Sequence, residues 1–187
     1  MLIDETSVFG KFATQTIDQF RILNPQSTSH LKIKFICIGK TTKSFLEAGE
    51  EEYLSRLKHY TSIERIELSD IRNAKNLSRE QLKEAEGKEI LKRLTPADQV
   101  ILLDERGKEF SSVSFAAHLE QQQNNSVKTI AFVVGGAFGF SDEVYARATM
   151  KMSLSRMTYS HQMVRMIFLE QLYRAFTIIR GEGYHHE

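Results

Sequence analysis

Three short segments of this 187-residue chain have the residue types of a ligand pocket. Gly135-Gly136-Ala137-Phe138-Gly139 follows an apolar run and precedes Ser141, a residue type that caps helices. With so few Cβ atoms, its backbone can approach a ligand closely. The spacing differs from the GxGxxG of dinucleotide sites, and the GK[ST] ending of a phosphate loop is missing, so neither a dinucleotide nor a nucleoside triphosphate is indicated. Leu103-Asp104-Glu105-Arg106-Gly107 reads as a turn at the end of a strand, where Asp104 or Glu105 could meet a ribose or an amino group. Leu154-Ser155-Arg156-Met157-Thr158-Tyr159 offers backbone groups and small hydroxyls for a purine edge. Each segment alone reads equally well as a turn. Brought to one edge of a sheet, the three would form a single pocket with a few polar groups on an apolar wall.

The elements that must position them follow from periodicity. Residues 32–38, 63–68, 99–103, 129–134 and 150–154 alternate or run apolar like strands, and helical spacing covers 44–60, from Ser78 to the stop at Pro96, 111–123, 141–149 and 161–180. Strands separated by helices predict an α/β fold: a mostly parallel sheet of five or six strands with helices on both faces. The last helix is apolar on more than one face, which suits either an intramolecular core helix or one shared with a second subunit. Residues 1–30 differ in kind. An amphipathic segment through Phe9, Phe12, Ile17 and Phe20 is cut off by Asn24-Pro25 and a polar run, so 1–30 read as an appendage to a domain at 31–187. An over-extended gene start, with Leu31 as the initiator, is one expectation for it.

Composition narrows the class. Lys and Arg number 25 against 24 Asp and Glu, so overall charge does not point to a nucleic-acid partner. Residues 149–181, however, carry Lys151, Arg156, Arg165, Arg174 and Arg180 against Glu170 alone, and could form a phosphate-attracting face. Glu170 and Arg174 have the spacing of a helix-surface pair. Cys37, the single cysteine, lies in an apolar run and reads as a buried hydrophobe. The usual metal-ligand spacings are absent and no metal is expected. Neither a membrane span nor a secretory signal is apparent, so the expected location is the cytoplasm.

The segments IKFICIGKT, LLDERGKEFSS, FVVGGAFGFS and LSRMTYSHQMVRMIFLEQLYRAFTIIRGEGYHHE, in this order, resemble the RlmH family of SPOUT RNA methyltransferases from Leu31 to Glu187. The resemblance implies a C-terminal trefoil knot and a homodimer pairing through the last helix. It also implies methyl transfer from S-adenosylmethionine to N3 of a pseudouridine in 23S rRNA of the assembled ribosome. Carried over residue by residue, it gives a cofactor pocket of Leu103, Gly135, Leu154, Ser155, Arg156, Met157, Thr158 and Tyr159. The same family ends in Tyr-His and a basic residue lying over the target side of the pocket, here Tyr184, His185 and His186. Departures are His186 in place of Arg or Lys, and Ser160 and Gly183 where prolines are common. Because N3 must lose a proton, a base or an electrostatic stabiliser is needed. The candidates are His185, His186 and His161, with Arg165 and Tyr184 orienting or stabilising. A non-catalytic ribosome-binding factor on the same fold and a Rossmann-like nucleotide-dependent enzyme are the competing readings.

Overall fold

The run KIKFICI forms β1 (Lys32–Ile38), and all but its two lysines are buried because strands flank it on both sides. The computed structural model describes residues 31–186, so the expectations for 1–30 lie outside the described residues. β1 pairs in parallel with β2 (Ser62–Leu68) and with β4 (Thr129–Val134). β4 in turn pairs with β3 (Gln99–Glu109), and β3 with β5 (Met150–Ser153), giving the order β2-β1-β4-β3-β5 with every pairing parallel. The expected α/β class holds, with five strands among the described residues.

Parallel strands need crossovers, and the connections carry α1 (Ser44–Leu57), α2 (Arg79–Leu91), α3 (Ser112–Asn124), α4 (Asp142–Arg147) and α5 (Met163–Arg180). Side chains alternate between two cores. Ile33, Phe35 and Cys37 of β1 and Ile130, Phe132 and Val134 of β4 join Leu54, Leu119, Phe168 and Leu172 from α1, α3 and α5. Ile36 and Ile38, with Ala131 and Val133, face Ile90 of α2 and Val144 of α4. Phe168 anchors the first core, its ring 4.7 Å from Phe132 and 5.3 Å from Phe35, which are paired in register. Removing that ring would cost about 3–5 kcal/mol.

Local chemistry fixes the helix ends. Ser78 and Gln81 form a reciprocal capping box at the start of α2, and Ser111 accepts from the Ser114 amide at the start of α3. Gly181 ends α5 in the left-handed region at φ 69°.

One element departs from expectation. Residues 103–107 are not a terminal turn, because β3 continues to Glu109. The strand bulges: Leu103 and Lys108 both align with Met152, leaving residues 104–107 arched out at the edge. Only glycine fits at position 107, where a Cβ would stand 2.5 Å from the Met152 amide nitrogen. Since all five strands run the same way, this arch lies at the same edge as the loops that follow β1, β2, β4 and β5.

Candidate active site

At that edge a cavity of about 620 Å³ opens between three loops. The β3 arch supplies Leu103, Asp104, Glu105 and Arg106; residues 134–140, after β4, form the floor and lip; and Leu154, Ser155, Met157, Thr158 and Tyr159 close the third side. His161 and Val164, at the approach to α5, complete the rim. The three segments read from sequence as one pocket are therefore together. Its size suits a nucleoside-sized ligand, and its mix of Val134, Phe140, Met152 and Leu154 with a few polar groups is that of a small-molecule site.

Polar cross-links hold the walls. The Tyr145 hydroxyl on α4 donates to an Asp104 carboxylate oxygen at 2.6 Å, while the other oxygen accepts from the Arg106 amide at 2.8 Å. Burial, followed by the hydrogen bond to Asp104, pushes the Tyr145 phenol up to about 12, so it stays a donor at neutral pH. Thr158 donates to Glu105 at 3.1 Å, joining the third loop to the arch. Periodicity gave no sign of the Tyr145 link, since Tyr145 sits within a short helix and meets Asp104 only through the crossover.

The floor rests on a buried acid. A Cβ on Gly136 would lie 2.4 and 2.6 Å from the two Glu86 carboxylate oxygens, so a larger residue there would force the buried Glu86 side chain to shift. Glu86 is 7% exposed and makes neither an ion pair nor a hydrogen bond among the described residues. Burial, with Asp70 adding negative potential, raises its pKa to about 7. Sequence held a signal for it: Leu82, Glu86 and Ile90 fall on one helical stripe, so an acid stands where an apolar side chain is expected.

Arg165 does not face the cavity. It is 1% exposed and donates to the carbonyls of Ile38, Gly39 and His161 and to the Thr41 hydroxyl. Thr41 in turn donates to the fully buried Glu50 at 2.7 Å. Four of its guanidinium hydrogen bonds tie the loop after β1 to the start of α5, which fits the orienting role among those expected for Arg165. Gln162 reinforces the tie by accepting from the Thr42 amide at 3.0 Å. Arg156 is likewise outside the cavity lining, its side chain turned into solvent to pair with Glu109.

The tail packs against its own last helix. Tyr184 docks edge-on against Tyr173, donates to Glu170 at 3.2 Å and lies 3.4 Å from the Tyr53 hydroxyl, beneath the Arg174 guanidinium. His185 Nδ1 is 3.4 Å from Arg174, and His186 is exposed. None of the three lines this chain's own cavity. Arg174 follows Val164 by ten residues on α5, about 15 Å along the helix axis. Of the five cations in residues 149–181, three are paired or buried and two lie over aromatic rings. Arg174 pairs with Glu170, Arg156 with Glu109, Arg165 is buried, Arg180 lies over Tyr60, and Lys151 over Tyr145.

Residues 31–185 match the family model described as "Predicted SPOUT methyltransferase". The chain belongs to the SPOUT methyltransferase family. Among curated relatives of this family member, the ribosomal RNA large subunit methyltransferases H of Flavobacterium psychrophilum and Parabacteroides distasonis are each 52% identical over 157 residues. Each alignment spans 84% of this chain and all of the relative. The Porphyromonas gingivalis protein of the same name is 48% identical over the same shares. Among solved structures, a Legionella pneumophila protein with bound SAM covers 78% of this chain and 66% of its own length at 12% identity and a TM-score of 0.43, too distant to inform the site.

Proposed function

We propose that this chain transfers a methyl group from S-adenosylmethionine to N3 of a pseudouridine in 23S rRNA of the assembled ribosome, acting in the cytoplasm as a homodimer. What carries the reading is identity of about one half over the full length of relatives named as large-subunit rRNA methyltransferases. The cavity at the strand ends supports it. Gly135 and the loop 154–159 would hold S-adenosylmethionine, Leu103 and Leu154 supplying apolar wall and the loop backbone polar contacts. When bound, that cofactor supplies an electrophilic methyl on a sulfonium.

The protein's share is alignment, exclusion of water and management of the N3 proton. The Tyr145–Asp104 and Thr158–Glu105 links fix the cavity walls. His161 stands at the rim and can accept a proton there. Tyr184 is a donor rather than a base at neutral pH, because burial, with Tyr53 and Glu170 beside it, pushes its phenol above the ordinary value. The tail of one protomer, about 15 Å short of its own cavity, would serve the cavity of its partner. The dimer would pair through α5, whose Met163, Val164 and Ile167 remain half-exposed. The family's trefoil knot belongs to this reading, formed beside the cavity where the C-terminal segment passes a loop.

The test is transfer of labelled methyl to ribosomes lacking the modification, with and without the target pseudouridine. Label dependent on that pseudouridine is expected. Label elsewhere would discard the target, and ribosome binding without label would favour a non-catalytic factor. Mixing His185→Ala protomers with cavity-defective ones tests the shared site, since only a shared site lets the mixture regain activity.

A further inference from the structure

Most of the C-terminal cations are paired or buried, whereas four on the loops after β1 and β2 are not. Lys40, Lys43, Arg72 and Lys75 are exposed and form neither ion pairs nor side-chain hydrogen bonds among the described residues. Arg79, also exposed and without an ion pair, lies with its guanidinium 5.2 Å over the Phe138 ring. At the opposite edge of the sheet Lys32 pairs with Glu64 and Lys34 with Asp98, each at 2.7 Å, while Lys58, Arg93 and Lys128 are exposed without an ion pair among the described residues. Carboxylates in the same stretch are few. Asp70 is turned against Gly39, Glu80 is tied to Lys83, and Glu47 sits on the first turn of α1.

The cationic loops join the cavity on two sides. On one, the loop holding Lys40 and Lys43 is bound to Gln162 and, through Gly39, to Arg165, placing it beside His161 at the rim. On the other, Arg79 carries the loop after β2 onto Phe138, which lines the cavity lip and is 45% exposed. An unneutralised cationic strip running up to an exposed aromatic is what a single-stranded nucleic acid requires: cations for phosphates and a ring for a base.

We infer that the loops following β1 and β2 are the RNA-docking surface of this enzyme, with Lys40, Lys43, Arg72 and Lys75 holding phosphates flanking the target and the Arg79–Phe138 pair meeting a neighbouring base. The inference rests on the rRNA substrate proposed above.

Arg72→Glu with Lys75→Glu tests it, since both are exposed and outside the cavity lining, Lys75 within a 3-10 turn and Arg72 just before it. Titration with S-adenosylmethionine reports the state of the cavity. Affinity for unmodified ribosomes should fall roughly twentyfold at 0.15 M salt, and the dependence of log affinity on log salt should flatten by about 1.5. Unchanged affinity and slope would overturn the surface, while failure of wild-type protein to methylate ribosomes it binds would overturn the proposed reaction instead. A photo-crosslinker on Lys75→Cys gives a second reading, because Cys37 is buried. Cross-links to rRNA are expected, and cross-links only to ribosomal protein would sink the proposal.

Discussion

Glu86→Gln should flatten the pH dependence of stability between pH 4.5 and 8. Glu86 is buried on α2 against Gly136, with Asp70 as its nearest source of charge, and its pKa stands at about 7 against an ordinary 4.5. The folded protein thus holds this proton more tightly than the unfolded chain. Stability linked to Glu86 is complete below about pH 4.5, declines as pH rises, and is fully lost above about pH 7. At about 1.4 kcal/mol per unit, the loss reaches at most about 3.5 kcal/mol. Gln has nearly the same shape and does not titrate, so whatever its burial costs is the same at every pH. Paired urea titrations across this range, with equal slopes, should show the gap between variant and wild type shifting in favour of the variant by about 1.5 M in midpoint. Other titrating groups, Glu50 among them, cancel in the comparison. Parallel curves for the two proteins would refute the reasoning, because the carboxyl would then be as well solvated folded as unfolded.

Gly136→Ala should weaken S-adenosylmethionine binding at least tenfold by calorimetry, and adding Glu86→Ala should recover part of the loss, since the clash is with the Glu86 carboxylate. Arg165→Ala strands the Ile38 and Gly39 carbonyls and removes one of the two cations, Arg165 and Arg65, that compensate Glu50, so a loss of about 3–5 kcal/mol and a fall in Tm of roughly 10 °C are expected by calorimetric scan. Cys37, whose thiol burial pushes up to about 12, should react with an aromatic disulfide reagent only as fast as the protein unfolds; prompt labelling of native protein would contradict its burial.

Much of the fold was legible because side chains report it. β1 and β4 end where the apolar runs end, and Ser78 and Ser111 cap the helices that follow β2 and β3. The β3 arch was not legible. Its polar residues resemble a turn, whereas their strand character comes from backbone pairing with β5, which side-chain pattern does not encode. The three loops of the site could be named, yet the charges beneath them could not be placed. Glu50, Glu86 and Arg165 each interrupt an apolar helical stripe, a sign that burial must be compensated or tolerated, but the partners come from distant elements. Which protomer's cavity the tail serves was not legible, because sequence order says nothing of the direction in which a segment leaves a helix. Gly181 turns it back along α5.

The strand order also governs how the chain emerges during synthesis. Phe35 of β1 is made early, but its neighbour Phe132 follows about a hundred residues later, and Phe168, which seals both, later still. At about 5–20 residues per second, β1 waits roughly 5–20 s with one apolar edge open. No local hairpin can shield it, since every pairing in the sheet is parallel. Yield in the cell should therefore depend on what covers that edge during the interval, and conditions that slow elongation or raise temperature should divert nascent chains to aggregates before β4 arrives.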